Sequence, residues 1–409
     1  MSILLHDKHG TFMKTLSRVC PICACREGEA LTTISLAPVQ NEALPPTFDI
    51  CVCKECKFCF DDLQAKQEDF DRFYADSAKY ATANTGGSGG SSAADIKRWS
   101  HVLDILAPHI RSSHRIVDVG CGKGGLLMAL RSRGFQNLVG IEPSLRCRQS
   151  LAEQNIPCYP TVKEAICEEG EPFDCVLCCQ VLEHVFALDD FLADIGNLLK
   201  HDGTLYVEVP DAAGYADFFH APFYYFDREH INHFTLDSLD NLILKHLAYR
   251  PIFGKRGSAH PVEGKETPVL WAVYKPSLHG AKTLKPDENG SHTVNTYVRL
   301  STERDFFYPQ LDAVRENRAH VLLWGCGAHL RRLLAKGCFS GIRLAGIIDR
   351  DRGGRGESLS GLPILPPQSI LEPEFKDFTV IITTVLYADH VRSFLAEQMF
   401  EGEVILMSD

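Results

Sequence analysis

Apolar and polar positions follow two regular patterns over most of the chain. The stretch "DIKRWSHVLDILAPHI", from Asp95, has the period of an amphipathic helix, and "HRIVDVG" after it is a short apolar strand that runs into glycines. Strand-like and helix-like segments then alternate, which predicts a parallel sheet covered by helices. The later segments of this set are "LVGIEPS", "FDCVLCCQV", "LDDFLADIGNLLK" and "GTLYVEVP".

The end of this region breaks the alternation. The helical pattern "LDSLDNLILKHLA" is followed by the strands "YRPIFGKRG" and "VLWAVYKP", with no room for a helix between them. Parallel neighbours need a long crossover connection, so we expect these two strands to pair antiparallel.

A second, smaller alternating set lies nearer the C-terminus. A helix is expected near Val298 to Asn317, followed by the strand patterns "AHVLLWGCG", "IRLAGIID", "FTVIITTV" and "GEVILMSD". We therefore predict an α/β fold in five parts. They are a cysteine-dense domain at 1–80, a Gly/Ser-rich linker at 81–94, an α/β domain at 95–276, a linker at 277–297 and a second α/β domain at 298–409.

Composition narrows the class of protein. The chain has 409 residues, 45% hydrophobic and 23% charged, as is typical of a soluble globular protein. A net charge of −11 argues against a nucleic-acid partner. The most apolar run, "FTVIITTVLY", is too short to cross a bilayer, and the N-terminus lacks the apolar core of a signal peptide. With sixteen cysteines, these features predict a reducing, cytoplasmic location without a membrane partner, and they leave the oligomeric state open.

Two cysteine pairs have the spacing of a metal site. Cys20 and Cys23 form one C-x-x-C pair, and Cys53 and Cys56 form another about thirty residues later. Four thiolates complete a tetrahedral shell, so this set predicts a structural zinc ion. The neighbouring cysteines at 25, 51 and 59 leave open a ligand set shifted by one, and free thiols in a small core are the alternative.

The loop "VDVGCGKGG" lies between a predicted strand and a predicted helix, where glycines let the backbone turn sharply and approach a ligand. Gly120, Gly122 and Gly125 fit the dinucleotide pattern of NAD-binding proteins. Gly120, Gly122 and Gly124, two residues after Asp118, resemble the S-adenosylmethionine (AdoMet) loop of class I methyltransferases. A glycine turn that binds nothing is the third possibility.

Three features favour AdoMet over NAD. Asp118 lies on the strand before the first glycine, where it could reach the methionine amino group. Glu142 ends the next strand, where an acid can accept hydrogen bonds from the ribose hydroxyls of either cofactor, so it does not separate the two. The antiparallel ending and "CCQVLEHV" both resemble class I methyltransferases, whose chain after the fourth strand covers the adenine and the methyl group. That resemblance adds Gln180 to the cofactor-binding residues.

The stretch "FYYFDREHINHF" places Glu229 beside His230 among aromatic residues. On a loop the acid and the imidazole can converge, whereas on a strand they would point to opposite faces. The rings of Phe223 to Phe226 could exclude water from a reaction centre. An ordinary surface loop with one charged pair is the alternative.

The order of parts resembles the AdoMet-dependent sugar C-methyltransferases, which modify nucleotide-linked deoxysugars. "FDICVCKECKFCF", "FYADSAKY", "QVLEHVFALDDFL" and "VEVP" with "FDREHINHF" carry the likeness. It implies an N-terminal zinc-binding domain, a class I methyltransferase domain and a C-terminal Rossmann-like domain without its own cofactor. It also implies an active site of His230, Glu229, His184 and, by a looser match, Tyr80.

This chain departs from the family pattern at several positions. Asp227 and Arg228 replace a common Tyr-His pair, and His233 replaces an aromatic residue, which leaves the sugar and the methylated atom open. "VLLWGCGAHLRRLL" and "LAGIIDRD" resemble Rossmann-like modules of sugar-modifying enzymes. Gly325, Gly327 and Asp349 there are turn residues or a vestigial nucleotide site.

The resemblance suggests a mechanism. His230 removes a proton from the carbon beside a keto group, Glu229 orients His230 or holds a sugar hydroxyl, and His184 stabilises the enolate oxygen or positions the substrate, with exchange of these roles possible. An O-methyltransferase, a zinc-ribbon RNA methyltransferase and an inactive scaffold are the rival functions.

Overall fold

A computed structural model of the protein describes residues 12–39, 42–76, 90, 92–262, 264–277, 283–305 and 308–407. The chain divides into two compact units, each made of several segments. Tyr80 and most of the predicted linker at 81–94 lie outside the described residues. The first unit takes its residues from Met1–Leu31, Cys51–Phe218 and Glu229–Val294, and the second from Thr32–Ile50, Phe219–Arg228 and Asn295–Asp409.

Short strands form the cysteine-dense N-terminal part. The elements are β1 (Phe12–Thr15), β2 (Glu27–Ser35), β3 (Thr47–Cys53), β4 (Cys59–Asp62) and α1 (Gln67–Asp76). One cysteine pair lies between β1 and β2, and the other lies at the end of β3 and in the turn before β4. Each pair therefore sits at a tight turn between neighbouring strands.

The central region has the predicted alternation of strands and helices. Its elements are α2 (Ala93–Leu106), β5 (Ile116–Val119), α3 (Gly125–Ser132), β6 (Leu138–Ile141), α4 (Leu145–Glu153), β7 (Cys158–Tyr159), α5 (Val162–Glu169), β8 (Phe173–Cys179), α6 (Leu188–Leu198), β9 (Leu199–Pro210), β10 (Asn232–His233), α7 (Leu236–Leu247), β11 (Tyr249–Val262) and β12 (Lys265–Pro276). Helix α2 begins in a capping box between Ser92 and Asp95, which satisfies free backbone N–H groups at its start.

Seven of these strands form one Rossmann-like sheet among the described residues, in the order β11-β12-β9-β8-β5-β6-β7. Strands β5 to β9 of this sheet pair parallel. Strand β12 runs antiparallel to β11, as the lack of a crossover helix predicted, and it also runs antiparallel to β9. Strands β5 and β6 are buried along their whole length, which explains their continuous apolar runs.

A two-residue strand links the N-terminal sheet to a much later part of the chain. Strand β10 pairs antiparallel with β4, with Asn232 opposite Phe60 and His233 opposite Cys59. The N-terminal sheet, within the described residues, has the order β1-β2-β3-β4-β10. The segment that holds Glu229 and His230 is therefore anchored on the cysteine-dense part.

The C-terminal elements confirm the second α/β set. They are α8 (Glu288–Arg304), α9 (Gln310–Asn317), β13 (His320–Trp324), α10 (Ala328–Ala335), β14 (Arg343–Ile348), β15 (Ser358–Leu359), β16 (Leu362–Leu365), β17 (Thr379–Ile382), α11 (Ala388–Glu397) and β18 (Val404–Leu406). The sheet order in the described chain is β15-β16-β14-β13-β17-β18, parallel except for the β15–β16 pair. Helix α8 begins inside the segment predicted as a linker at 277–297, and two helices stand where one was expected.

The aromatic run Phe223 to Phe226 packs within the second unit. The Phe223 amide donates to Ser301 Oγ at 3.0 Å, and the Tyr225 amide donates to the Tyr297 hydroxyl at 3.3 Å. The rings of Tyr225 and Phe226 meet the Tyr297 ring at 5.5 and 5.3 Å between centroids. These packing contacts alone are enough to explain why the rings are buried.

Within the part of the chain that the structure describes, no helix combines the length and the apolar character needed to cross a membrane.

Candidate active site

The glycine loop after β5 has the backbone shape that only glycine adopts easily. Gly120, Gly122 and Gly124 have φ angles of 71°, 53° and 78°. A Cβ at Gly120 would lie 2.6 Å from Val181 Cγ2, and one at Gly124 would lie 2.2 Å from Leu151 Cδ2. The loop is thus held tightly between α4 and the chain that follows β8.

Asp118 is a buried acid at the end of β5. Its Oδ1 accepts no hydrogen bond from any described residue. Burial raises the pKa of Asp118 to about 8, although the nearby Arg98 guanidinium acts to lower it. A cationic donor such as an amino group would supply both the missing hydrogen bond and the missing charge, so this residue fits the methionine end of AdoMet.

Glu142 directly follows β6 and holds the same loop in place. Its two carboxylate oxygens accept hydrogen bonds from the backbone N–H groups of Gly122, at 3.0 Å, and Ser144, at 2.8 Å. Burial raises the pKa of Glu142, while these two N–H groups act in the opposite direction. Each oxygen has a second lone pair, so the carboxylate can still accept from a ribose hydroxyl.

Gln180 lies just after β8 and is held by a buried carboxylate that the sequence did not single out. Its Nε2 donates to Glu208 Oε1 at 3.3 Å, and its backbone N donates to the Glu208 carbonyl at 2.7 Å. The Nε of Arg98, from α2, donates to the same Oε1 at 2.7 Å, and Trp271 Nε1 donates to the other carboxylate oxygen at 3.1 Å. Glu208 thus fixes the chain that leads to His184. The sequence feature that could have identified Glu208 is the presence of an acid inside the otherwise apolar strand "VEVP".

The catalytic histidines predicted from the sequence meet in the structure. His184 belongs to a 3₁₀ turn after β8, and His230 immediately precedes the segment that leads into β10. Their rings lie 4.7 Å apart between centroids, at 71° to each other. The backbone carbonyl of Glu229 lies 2.9 Å from His184 Nδ1, so all three predicted residues belong to one cluster.

Tyr74, on α1, joins this cluster, and the predicted Tyr80 lies outside the described residues. Its hydroxyl lies 2.8 Å from His184 Nδ1, and the two rings meet edge to face. Tyr74 lies in the same segment "FYADSAKY" as Tyr80, but only the structure shows that the Tyr74 hydroxyl reaches His184.

Arg18 and Asn232 hold the two histidine segments together. Asn232 Nδ2 donates to the carbonyls of Leu182 and Val185, each at 2.8 Å. Arg18 Nη2 donates to Asn232 Oδ1 and to the Phe186 carbonyl, both at 2.9 Å. Burial lowers the pKa of Arg18 to about 10, so it stays cationic at neutral pH. Sequence patterns gave no sign of these contacts because they join residues about 170 and 210 positions apart.

His233 has a structural role. Its Nε2 lies 3.0 Å from Asp61 Oδ1 and its Nδ1 lies 3.2 Å from the Tyr215 hydroxyl, and the side chain is fully buried. His233 therefore supplies a buried hydrogen bond between β10 and β4.

The four predicted metal-binding thiols come together. The sulfur atoms of Cys20, Cys23, Cys53 and Cys56 all lie within 4.8 Å of one another. Cys20 Sγ is 3.5 Å from Cys56 Sγ, and Cys23 Sγ is 3.3 Å from Cys53 Sγ. Thiolates about 2.3 Å from a tetrahedral zinc ion are about 3.8 Å apart, so a small expansion would accommodate the ion. The cysteines at 25, 51 and 59 are not part of this group in the described chain.

The glycines of the C-terminal unit form a turn. Asp349 Oδ2 accepts from the Cys326 amide at 2.8 Å, and its Oδ1 accepts from the amides of Asp351 and Arg352 at 2.9 Å. The carboxylate is therefore occupied by the backbone of its own loop, which supports the interpretation as turn residues.

Comparison with known proteins identifies the central region. Residues 93–246 match the family model of a methyltransferase domain, which confirms for this region the enzyme class predicted from the glycine loop. A ubiquinone biosynthesis O-methyltransferase of Roseobacter denitrificans is 36% identical over 106 residues, which are 24% of this chain and 42% of that protein. A tRNA U34 carboxymethyltransferase of Pseudoalteromonas translucida is 35% identical over 114 residues, 26% of this chain and 35% of that protein.

These similarities cover only part of each protein. The chain spans about two fifths of the length of the curated ubiquinone relatives it matches. Among solved structures, 1,6-didemethyltoxoflavin-N1-methyltransferase of Burkholderia thailandensis is 17% identical, with a TM-score of 0.37 over 55% of this chain and 98% of that one. A likeness this weak supports no conclusion about the substrate.

Proposed function

We propose that the protein is an AdoMet-dependent methyltransferase that C-methylates a nucleotide-linked keto-deoxysugar. One observation supports this above the rest: the glycine loop and the histidine pair lie at the same edge of the sheet. Gly120 packs against Val181, three residues before His184. Ligands of open α/β sheets bind at the carboxyl ends of the strands, where these residues lie.

The cofactor-binding residues would be those predicted from the sequence. Asp118 would hold the amino group, Gly120, Gly122 and Gly124 would allow close approach of the backbone, and Glu142 would accept from the ribose. Bound AdoMet supplies a methyl group already activated on a sulfonium. The protein therefore has to align an acceptor atom and remove its proton.

The histidine cluster supplies the acid–base groups. In this proposal His230 takes the proton from the carbon beside the keto group, and the resulting enolate carbon is the nucleophile. His184 lies edge to face with His230 and is oriented by Glu229 and Tyr74, so in its protonated form it can place an N–H near the enolate oxygen. Glu229 holds a sugar hydroxyl or orients His230. The zinc ion on the four thiolates is proposed to be structural, in a reducing cytoplasmic compartment.

The test is turnover on a panel of nucleotide-linked 4-keto sugars with AdoMet, read as mass gain. His230→Ala and Glu229→Ala should each lower turnover by about 10²- to 10⁴-fold while AdoMet still binds in calorimetry. His260→Ala, on β11 and outside the cluster, is the matched control and should keep full activity. Full activity of both cluster variants would remove these residues from the mechanism.

O-methylation of a sugar or small molecule is the second candidate, favoured by the relatives named O-methyltransferases. The same base could deprotonate a hydroxyl, so NMR of the product decides, because carbon-bound and oxygen-bound methyl groups have distinct shifts. An RNA substrate, suggested by the tRNA-modifying relative, conflicts with the net charge of −11. Salt-sensitive RNA binding would restore that possibility.

A further inference from the structure

A carboxylate and two imidazoles converge beside the glycine loop. Glu183, His184 and His230 each bring one possible ligand atom to within 4.8 Å of the other two. Glu183 and His184 are neighbours on the 3₁₀ turn after β8, and the Ile231 amide donates to the Glu183 carbonyl at 2.8 Å. Two segments of chain are thus fixed to each other at the point where the three side chains meet.

The hydrogen bonds of His184 determine which nitrogen is left for a ligand. Its Nδ1 lies 2.9 Å from the Glu229 carbonyl oxygen, which can only accept, and 2.8 Å from the Tyr74 hydroxyl, which can accept as well as donate. The tautomer with the proton on Nδ1 suits both contacts, and in that neutral ring the lone pair is on Nε2. A metal-binding histidine is commonly oriented in this way, with its other nitrogen donating to a backbone carbonyl.

The distance between His184 and Glu183 also fits an intervening ion. His184 Nε2 lies 3.8 Å from Glu183 Oε1, which is too long for a hydrogen bond. Two ligand atoms that each lie about 2.1 Å from one ion are about 3.0 to 3.5 Å apart. A shift of a few tenths of an ångström would therefore let both atoms bind the same cation.

We propose that Glu183, His184 and His230 bind a divalent transition-metal cation. Two imidazole nitrogens and one carboxylate oxygen suit Mn²⁺, Fe²⁺, Co²⁺ or Zn²⁺, and three protein ligands leave positions open for substrate oxygens. The site is separate from the four thiolates, whose sulfur ligands select zinc. Its role rests on the proposed function with one change of roles: while both imidazoles are ligands, Glu229 instead of His230 takes the proton, and the cation would polarise the oxygen next to the methylated atom.

The experiment uses Mn²⁺ as the probe, because this ion prefers nitrogen and oxygen ligands to thiolates. The full chain is dialysed until its metal content falls to the tightly held zinc, and Mn²⁺ binding is followed by the loss of the free-ion EPR signal. One Mn²⁺ per chain should bind to the wild type. His230→Gln and Glu183→Gln should weaken Mn²⁺ binding by about 100-fold or more. Removing only a group that hydrogen-bonds to a metal ligand typically costs about 10- to 100-fold.

His260→Gln is the matched control. His260 Nε2 also lies 3.8 Å from a carboxylate, that of Glu266, but this pair is largely exposed and belongs to no group of three among the described residues. Its loss should leave Mn²⁺ binding unchanged. AdoMet titration by calorimetry in every variant reports whether the methyltransferase domain is folded.

The outcomes separate the two proposals. A wild type that binds AdoMet but no Mn²⁺ at concentrations on the order of 1 mM overturns the metal site and leaves the proposed function standing. Equal losses in the His230 and His260 variants also overturn it. Mn²⁺ binding that depends on His230, without methyl transfer to any sugar, supports the site and contradicts the proposed function.

Discussion

At the scale of single residues, Asp118 is an acid whose charge depends on what binds beside it. Burial raises its pKa to about 8 in the folded protein, against an ordinary value of 3.8. The carboxyl is therefore largely protonated at neutral pH, and a cationic amino group must displace that proton. Cofactor binding and proton release are then coupled at this one residue.

This coupling predicts the pH dependence of AdoMet binding. Affinity should rise by up to about tenfold per pH unit between pH 6 and 8, with close to one proton released per AdoMet at the lower end. Calorimetry in buffers of different ionisation enthalpy measures both quantities. Asp118→Asn should bind weakly and show neither trend. A wild type with no proton release would contradict the assignment of Asp118.

Stability should show the opposite dependence on pH. Because the folded pKa is raised above the unfolded one, the folded state holds the proton more tightly, and stability falls as pH rises from about 4 to about 8. Without AdoMet, Asp118→Asn should remove much of this decline and be more stable than the wild type at pH 8. Urea unfolding at pH 6 and pH 8 measures the difference. Equal slopes with pH in the two proteins would count against the raised pKa.

Gly124 and Gly134, on either side of α3, allow the cost of backbone strain to be measured apart from the cost of a steric clash. Gly124 and Gly134 both have positive φ, but a Cβ at Gly124 would meet Leu151 at 2.2 Å, whereas nothing lies within 4 Å at Gly134. Gly134→Ala should cost about 1–2 kcal/mol of strain alone. Gly124→Ala should cost about 1–3 kcal/mol more and weaken AdoMet binding. Urea unfolding and AdoMet titration of both variants test this, and equal costs would show that the loop relaxes freely.

At the scale of elements, Arg18 connects the turn that bears His184 with the segment after His230. Besides its bonds to Phe186 and Asn232, its Nη1 donates to the Ile231 carbonyl at 3.2 Å. One guanidinium therefore satisfies acceptors on both segments, and its planar fork suits this task better than a lysine ammonium.

Arg18→Met should destabilise the first unit by about 3 kcal/mol or more, because it leaves several buried acceptors without a donor. Arg18→Lys should recover only a small part. Arg133→Met, at a half-exposed arginine paired with the exposed Asp104, is the control and should cost less than about 0.5 kcal/mol. Urea unfolding gives the three values. A small loss for Arg18→Met would mean that water replaces the guanidinium.

The sequence predicted the elements of the two large sheets well, because local patterns encode them. The runs around Ile116 and Leu138 are apolar since these strands are buried on both faces. The grouping of the two cysteine pairs could also be predicted, because the spacing within each pair is local. Strand β10 could not be predicted, because two residues show no period and their partner β4 lies far away in the chain. The aromatic run before Asp227 suggested a site because its packing partner, Tyr297, is 72 positions from Tyr225 and could not be inferred from the local pattern.

At the scale of the whole molecule, the second unit is built from three separate parts of the chain. The Ala37 amide donates to the Arg331 carbonyl at 2.9 Å, and Val39 forms a β-bridge with Leu359. The Glu42 carboxylate pairs with Arg331 at 2.7 Å and with Arg228, and all three side chains are buried. A C-terminal fragment that began at 298 would therefore lack one side of its own core.

Glu42→Gln should destabilise the second unit by about 3–5 kcal/mol, because it leaves two buried arginines without their counter-charge. Glu374→Gln, at an exposed position in the same unit, should have almost no effect. Urea unfolding followed by tryptophan fluorescence measures both, in a background where Trp99 and Trp271 of the first unit are replaced by phenylalanine so that only Trp324 emits. The isolated fragment 298–409 should be less stable still, and a fragment as stable as the full chain would show that residues 32–50 contribute little.

The pairing of β4 with β10 also bears on how the chain is made. Asp61 and His233 are 172 positions apart, so at about 5–20 residues per second a ribosome needs about 9 to 34 s to deliver the second after the first. During that interval the edge of β4 has no partner, and exposed strand edges invite contact with other nascent chains. Zinc binding by the four thiolates before β10 is synthesised would hold the turns of this small sheet in place during that interval.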